Sequence, residues 1–450
     1  MSDQEIHAPD EDMSQSLSDA WRIIADKALR GADFEETLVR STADGIRRGP
    51  VFFSAPGLPD MARATRPVHL PWQIRQSFAD ASLKDANAAI IADLLGGVTQ
   101  IGLHLDPAGR YGVPVTTGDD LSAALEGVDL SIAPVHIEPG GAFNAAEIGR
   151  ALISLGAKSG GLGLRADHSD LASLASEFDG FMIASIDART VHEAGGSEAQ
   201  EIAYAASGFN EALGRLLESG MDAARAASQI ETVMAVDADI HLSIAKLRAA
   251  RLVLANILQA YDISKLVMIR AVTSGRMMTR QDPWTNIIRI SAAAFAGAVG
   301  GADTMSIHPA THALGRPDRL ARRTARNLHI LLQEESHAGV VADPAAGSFL
   351  HDKLSEQLAR QAWDIFQTTE RHGGFSVLGD AEGFGGDVSS ASGKLAARYR
   401  DKQSVLIGVS RHAAPDLREM KFLNGDTPPY GDDRFTPIRL EDFSNPGESA

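Results

Sequence analysis

Several ionisable side chains stand at the predicted carboxyl ends of strands, where a parallel α/β fold carries its ligand-binding loops. His136 could act there as a general base, because an imidazole titrates near neutral pH. The simpler interpretation is a local hydrogen bond or a strand cap, and His308 has the same two interpretations. The candidates at such positions are Asp106, His136, Arg165, residues 187–192, residues 270–276 and His308.

Three further groups of ionisable residues favour structural interpretations. His308 and His312 have the i,i+4 spacing of a helical metal site, but Pro309 argues against a helix, and we expect no metal. Glu334 and Glu335 are adjacent, so on a helix they point about 100° apart and do not form a shared acid/base site. A run of arginines is expected on the solvated face of a helix, with a phosphate or an acidic partner as the alternative: Arg316, Arg319, Arg322, Arg323 and Arg326.

A strand–helix alternation that begins at Trp72 must position these residues. About eight apolar strands alternate with helices, which predicts an α/β fold and favours a closed (β/α)8 barrel over an open doubly wound sheet. Residues 240–260 follow a helical apolar period, and the Ala-rich residues 285–299 predict a helix packed on several sides. After Trp72, strands are predicted at 98–105, 128–137, 160–165, 180–186, 265–269 and 304–307, and near Val340 and Val341.

The chain divides into four parts on this basis. Residues 1–15 are acidic and polar and are expected to be disordered, and residues 16–71 form an N-terminal helical arm. Residues 72–374 form the barrel. Residues 375–450 are expected to be a Gly- and Ser-rich linker followed by an extended tail that wraps a neighbouring surface.

Composition excludes several classes of protein. The formal charge of −17 argues against nucleic acid or an anionic membrane as partner, because both select clustered Lys and Arg. The absence of cysteine excludes disulfides, thiolate nucleophiles and Cys-ligated metals. We find no secretory signal, no membrane span and no glycine-rich nucleotide motif, so we expect a cytoplasmic protein.

Six sequence blocks, in one order, resemble the substrate-binding barrel of the methylmalonyl-CoA mutase family, which uses adenosylcobalamin. Their common order is more specific than any single block. They are Lys-Leu-Arg-Ala-Ala-Arg at 246–251, Thr-Ser-Gly at 273–275, Gln-Asp-Pro-Trp at 281–284, Gln-Glu-Glu-Ser at 333–336, Asp-Pro-Ala-Ala-Gly-Ser at 343–348 and Gly-Gly at 373–374.

The resemblance also identifies remnants of a pocket for substrate and coenzyme A. Arg75 and Gln76 keep residues of the Arg-Pro-Trp-Thr-Ile-Arg-Gln-Tyr stretch that contacts both in the family. Arg165 lies where catalytic chains have the arginine that grips the substrate carboxylate, and family chains also have a histidine at His308.

Other positions depart from the catalytic pattern. Ser77 replaces the tyrosine that lies over the substrate, and Leu70 replaces the first arginine of that stretch. Arg189 and Thr190 replace the Tyr-His pair that lies against substrate and cobalamin, and His192 is two residues too late to substitute. The Glu-Ala-Gly block that follows the pair in the family is kept at 193–195. Where catalytic chains carry His and Gln before Thr-Ser-Gly, this chain has Arg270 and Val272.

These departures imply a small, or β, subunit of a heterodimeric mutase, with no catalytic residue and no metal of its own. We expect the catalytic α subunit as partner, and adenosylcobalamin in that partner, because the cobalt-ligating Asp-x-His-x-x-Gly motif and its domain are missing from these 450 residues. The alternatives are an active acyl-CoA mutase subunit whose cobalamin domain is a separate chain, and a cobalamin-independent barrel enzyme or ligand-binding protein that uses His136, Asp187 or His308.

Overall fold

The N-terminal arm begins with a long helix. The computed structural model describes residues 11–55, 57–59, 62–63, 67, 69–139, 143–414, 416–425 and 434–444. Its first elements are helices α1 (Glu11–Leu29) and α2 (Phe34–Leu38) and the antiparallel strands β1 (Arg40–Ser41) and β2 (Arg47–Arg48). Residues 11–15 therefore lie in α1, so the prediction of disorder was wrong for them. The helix that carries Trp21 already begins at Glu11. Residues 1–10 lie outside the described residues.

Eight parallel strands close into a barrel, which confirms the predicted (β/α)8 fold. The barrel closes where the last strand pairs with the first, Thr304 beside Gln73 and Met305 beside Ile74. The hydrophobic core lies between the strands and the surrounding helices. The strands are β3 (Gln73–Phe78), β4 (Gln100–Leu105), β5 (Val135–Pro139), β6 (Gly160–Leu164), β7 (Phe181–Asp187), β8 (Ile230–Val236), β9 (Ile269–Thr273) and β10 (Thr304–Ser306).

One barrel strand was missed from the sequence and another was placed wrongly. All seven residues of β8, Ile-Glu-Thr-Val-Met-Ala-Val, are buried, so the strand lacks the apolar–polar alternation of a half-exposed strand, and it directly follows a helix without a turn signal. Val340 and Val341 form no strand but lie in a bend, half-exposed on the surface.

The helices around the barrel match the predicted alternation, and two match their predicted bounds residue for residue, α10 and α11. A turn of π-helix, Leu331–Glu335, extends α12. The helices are α3 (Leu83–Leu94), α4 (Gly118–Ala124), α5 (Ala145–Ser154), α6 (Leu171–Glu177), α7 (Arg189–Glu193), α8 (Glu198–Glu218), α9 (Ala223–Ser228), α10 (Ile240–Ala260), α11 (Thr285–Val299), α12 (Arg319–Ile330) and α13 (Phe349–Arg371).

The predicted linker is instead a helix. After a 3-10 turn at Gly374–Val377, helix α14 spans Phe384–Arg400. Its small residues lower helix propensity, but they allow a close approach to the barrel: a Cβ on Gly195, whose φ is +92°, would lie 2.6 Å from the Ser392 hydroxyl oxygen. Tertiary packing therefore outweighs the composition that predicted a linker.

The described part of the C-terminal tail lies on its own barrel. The backbone N–H of Ile438 donates to the carbonyl of Glu193 at 2.8 Å, and that of Leu440 to the carbonyl of Arg276 at 3.0 Å. Its last described residues form the short helix α15 (Glu441–Ser444), and a two-stranded sheet pairs β11 (Arg316–Pro317) with β12 (Phe422–Leu423).

Candidate functional site

A buried ion pair crosses the barrel interior between β3 and β8. Arg75 donates from Nη2 to Oε1 of Glu231 at 2.7 Å and from Nη1 to Oε2 at 2.9 Å. Only 1% of the Arg75 side chain and 7% of the Glu231 side chain are exposed. Burial alone would raise the pKa of Glu231, but the charges of Arg75 and Arg270 lower it to about 2. Both partners are therefore charged at neutral pH.

A second ion pair extends this network toward β4 and β5. The Arg270 guanidinium contacts Glu138 and lies 3.8 Å from Glu231. Glu138 also accepts a hydrogen bond from the Ser77 hydroxyl at 3.0 Å and lies 2.8 Å from Nε2 of His104. Although burial opposes ionisation, Arg270 and His104 hold the pKa of the Glu138 carboxyl well below its usual range. The barrel interior thus balances two arginines with two glutamates.

Two cavities open at the carboxyl ends of the strands beside this network. The first, of about 750 Å³, is lined by Arg75, Arg165, Arg189 and Arg270. The second, of about 830 Å³, shares Arg189 with the first. At the other end of the barrel, about 590 Å³ of open space lies below His136, which also lines the first cavity. His136 and the ion pairs therefore separate the mouth from the amino-terminal end of the barrel.

His136 is neutral and buried. Its side chain faces the first cavity, but burial, with a further contribution from the charge of Arg75, lowers its pKa to about 3. A general base acts best when its pKa lies near the working pH. His136 therefore fits the simpler interpretation, that of a structural histidine.

Both arginines at the rim of the first cavity already have carboxylate partners. Arg165 donates from Nε and Nη2 to Asp167 at 3.1 and 2.9 Å. Arg189, at the former Tyr-His position, donates from Nε and Nη2 to Asp187 at 2.7 and 2.6 Å. An incoming carboxylate would have to displace an aspartate from a bidentate pair.

The second cavity gathers the remaining predicted pocket positions: Gln76, Ser77, Val272 and His308. His308 contacts the carbonyl oxygen of Thr273 through Nδ1, and its ring stacks on His312 with centroids 3.9 Å apart. Burial and the charge of Arg189 lower the pKa of His308 to about 3, so its imidazole is neutral.

Thr190, the second position of the Tyr-His pair, lies away from both cavities, and so does His192. Thr190 and His192 are on α7 and each is 1% exposed. Nε2 of His192 lies 2.8 Å from the Ser274 hydroxyl, and Nδ1 lies 3.6 Å from Glu201, which pairs with Lys246 at 2.5 Å. His192 belongs to a buried network behind the mouth, where it has no access to a ligand.

Asp106 organises its own loop. Its carboxylate accepts the backbone N–H groups of Ala108, Arg110 and Tyr111 at 3.0, 2.9 and 2.7 Å. These hydrogen bonds account for Asp106 as a turn residue after β4.

The arginine run is not a solvated face, so that prediction was wrong for three of its five members. Arg322 pairs with Asp80 at 3.0 Å, and Arg326 pairs with Asp93 at 3.0 Å. Arg316 lies in β11 and donates to backbone carbonyls of the loop after β4. The aspartates come from the amino-terminal part of the barrel, which the local sequence of α12 does not reveal. Arg319 and Arg323 are exposed as expected.

Three ionisable residues that line the first cavity were not predicted from the sequence: His104, Glu138 and Glu231. The available signal was indirect, since Arg75 and Arg270 directly follow the apolar residues Ile74 and Ile269, and a buried arginine needs hydrogen-bond acceptors around it. Within the described residues, no group of three or more metal-ligating side chains is found. None of the helices in that part of the chain is long and apolar enough to span a bilayer.

The fold and the mouth define a (β/α)8-barrel protein in which internal ion pairs cross the axis. Residues 169–438 match the sequence profile of the family described as methylmalonyl-CoA mutase. The chain belongs to the methylmalonyl-CoA mutase family.

Within the family, the chain resembles the small subunits. It is 35% identical over 417 residues to the methylmalonyl-CoA mutase small subunit of Streptomyces virginiae, covering 84% of this chain and 65% of that one. It is 30% identical to the small subunit of Propionibacterium freudenreichii subsp. shermanii, covering 86% and 65%. The methylmalonyl-CoA mutase of Escherichia coli is 24% identical, covering 90% and 65%. The chain thus spans about two thirds of the length of these relatives.

Proposed function

We propose that this chain is the non-catalytic subunit of a cytoplasmic, heterodimeric methylmalonyl-CoA mutase. Its catalytic partner interconverts methylmalonyl-CoA and succinyl-CoA with adenosylcobalamin, an activity of propionate metabolism. The observation that carries the proposal is the ion-pair network of Arg75, Glu231, Arg270 and Glu138 across the barrel interior. A substrate bound along the barrel would have to break buried ion pairs, at a cost of about 3–5 kcal/mol for each charge left without a partner.

The mouth does not fit the cofactor of the family. The Arg189–Asp187 pair lies at the position from which catalytic chains present Tyr-His, with 11% and 16% of the two side chains exposed. A bound corrin would remove the remaining water from these charges, which are already paired with each other, where catalytic chains present a Tyr-His pair instead. We therefore derive no catalytic step through adenosylcobalamin in this chain and assign the cofactor to the partner.

The two rival functions have less support. An active substrate subunit would present its pocket residues to the ligand, but Ser77 is hydrogen-bonded to Glu138 and Arg165 to Asp167. A cobalamin-independent enzyme would need a histidine that titrates near neutral pH, and both His136 and His308 have a pKa of about 3.

The decisive experiment compares the purified chain with the reconstituted pair. With methylmalonyl-CoA and adenosylcobalamin, we expect no succinyl-CoA from the chain alone and no cobalamin spectrum co-eluting with it on gel filtration. A pull-down from native cells should recover a longer mutase chain, and that pair should turn over. Turnover by the isolated chain above the buffer blank would refute the non-catalytic assignment. Failure to recover any mutase chain would refute the heterodimer.

A further inference from the structure

Two carboxylates meet where the N-terminal arm touches the barrel. Asp44 lies in the turn between β1 and β2, and its Oδ2 accepts the backbone N–H of Ala199 in the first turn of α8 at 3.2 Å. The hydroxyl of Ser197 also bonds to Asp44. Glu198 stands between these two contacts; it is 7% exposed, and its Oε2 has no hydrogen-bond partner in the part of the chain that the structure describes. An arm residue thus caps a barrel helix beside an unsatisfied buried carboxyl oxygen.

The cations nearest to these carboxylates are already engaged. Lys246 on α10 pairs with Glu201 at 2.5 Å, and Arg276, after β9, lies 3.5 Å from Asp237. Those two ion pairs leave Asp44 and Glu198 with no cation of their own among the described groups that act on Glu198. His192, on α7, adds no positive charge because burial lowers its pKa.

Helix α14 lies on the other side of the contact between the arm and the barrel. A cavity of about 1,210 Å³ separates this helix from Asp44 and Ser197, and it is also lined by Asp387, Lys394 and Arg398. These three charged groups include one carboxylate and two cations, and they face Asp44 across open space. Solvent can therefore reach Asp44, while Glu198 is enclosed.

The enclosed carboxyl holds a proton. Burial, reinforced by the charge of Asp44, raises the pKa of Glu198 to about 7. Burial also raises the pKa of Asp44, against the hydrogen bonds that it accepts from Ser197 and Ala199. Glu198 therefore holds its proton below about pH 7 and loses it in alkaline medium.

We propose that Asp44 and Glu198 form a carboxyl latch that fastens the N-terminal arm to the barrel through the Asp44–Ala199 hydrogen bond and opens in alkaline medium. When Glu198 loses its proton, its enclosed negative charge repels the charge of Asp44, and the arm is the part that can move away. The release is local, because Arg48 keeps its pair with Asp239 at 2.9 Å and Ile46 remains buried. The latch therefore controls the hairpin turn, residues 42–46, and the amide of Ala199.

Hydrogen–deuterium exchange of the full chain tests the latch directly. Peptides that cover residues 40–48 and Ala199 are compared between about pH 6 and about pH 8.5, after correction for the intrinsic exchange rate. In the wild type, the protection factor of both peptides should fall by at least about tenfold across this range. Glu198→Gln keeps the shape of the side chain without its charge, so this variant should keep the same protection at both pH values.

Two further variants make the test specific. Asp44→Asn retains an oxygen that can accept the Ala199 N–H and should also abolish the pH dependence, which covers the case in which Glu198→Gln fails to fold. Glu147→Gln changes an exposed glutamate in the first turn of α5 and should behave like the wild type. Wild-type protection that is equal at both pH values overturns the latch. A pH-dependent loss that persists in both Glu198→Gln and Asp44→Asn overturns it as well.

Discussion

The Glu193 carboxylate holds the backbone of Gly275, with Oε1 accepting the Gly275 N–H at 2.7 Å while Oε2 accepts the N–H of Arg276 at 2.6 Å. Glu193 belongs to the Glu-Ala-Gly block after β7, and Gly275 to the Thr-Ser-Gly block after β9. Two blocks that carry the family resemblance are thus joined to each other, and neither Glu193 nor Gly275 lines the two mouth cavities. At these positions, the family resemblance reflects residues that hold the fold together and not residues that line a ligand cavity.

Glu193→Gln should therefore reduce stability without a ligand effect. The glutamine can accept only one of the two N–H groups, and its own amide N–H₂ faces the other. We expect a loss of about 1–3 kcal/mol in the free energy of unfolding, measured by urea denaturation. Glu126→Gln, at an exposed position, serves as the control. Equal midpoints for the two variants would contradict the structural role of Glu193.

Glu231→Gln should be more damaging, because it leaves the Arg75 guanidinium buried without its counter-charge. The expected loss is about 3–5 kcal/mol in the free energy of unfolding. Replacing both partners, Arg75→Met with Glu231→Leu, should recover most of this loss, since the remaining buried charges, Arg270 and Glu138, still have each other as partners. If the double variant is less stable than Glu231→Gln, the ion pair itself stabilises the barrel, against our expectation.

Acid should destabilise the protein through its buried histidines. His329 accepts the indole N–H of Trp72 at 3.1 Å, and burial lowers its pKa to about 3. The unfolded chain binds that proton near pH 6.5 and the folded chain does not, so stability is lost as pH falls from about 6.5 toward about 3. His329→Asn should flatten the decrease of the urea midpoint between about pH 7 and about pH 5. The exposed control His412→Asn should retain the full wild-type slope.

Arg165→Ala should leave stability and the activity of the reconstituted pair nearly unchanged. The side chain is about a third exposed, and its partner Asp167 lies two residues away, so the pair ties no distant elements together. Isothermal titration with succinyl-CoA should show no binding to either the wild type or the variant. Wild-type binding that Arg165→Ala weakens by about 1–3 kcal/mol would mean that the barrel still grips an acyl-CoA.

The N-terminal arm should contribute to the proposed heterodimer. Trp21 of α1 packs on Phe34 and Phe53 with ring centroids 6.0 and 6.1 Å apart, whereas Leu17 and Ile24, about one helical turn to either side of Trp21, are 50% and 68% exposed. Removal of residues 1–30, or Leu17→Glu with Ile24→Glu, should abolish co-purification with the catalytic chain and leave the barrel folded. If either variant co-purifies with the catalytic chain at full yield, the arm does not hold the heterodimer together.

A matched substitution controls for a general effect of surface charge. Ile132 is 77% exposed and lies on the barrel just before β5. Ile132→Glu introduces the same charge outside the arm and should leave the yield of the complex unchanged. A loss of complex with this control would indicate that added negative charge, not the arm surface, weakens association.

The barrel could be predicted because periodicity is a local property. Helix α10 shows its apolar face within its own 21 residues, and its predicted bounds were correct. Strand β8 was missed because burial on both faces removes the alternation that marks a strand. Helix α14 was missed because its Gly and Ser residues are favourable only in contact with the barrel.

The site was harder to predict, because its partners are distant in sequence. Arg75 and Glu231 are 156 residues apart, and Arg322 and Asp80 are 242 residues apart. No local pattern pairs such residues, since closure of the barrel brings them together. Ser77, Arg189 and Arg270 line the two mouth cavities, but the carboxylates that neutralise the two arginines became visible only in the fold.

Because the C-terminal tail is synthesised last, its contacts with the barrel form after the barrel strands are available. Ile438 and Leu440 supply the N–H groups that the carbonyls of Glu193 and Arg276 accept, and Glu441 binds Arg280. These residues leave the ribosome after every strand of the barrel has been made. A nascent chain can therefore close its eight strands while the loops after β7 and β9 still lack their final hydrogen bonds, and the mouth acquires its finished shape only as translation reaches the tail.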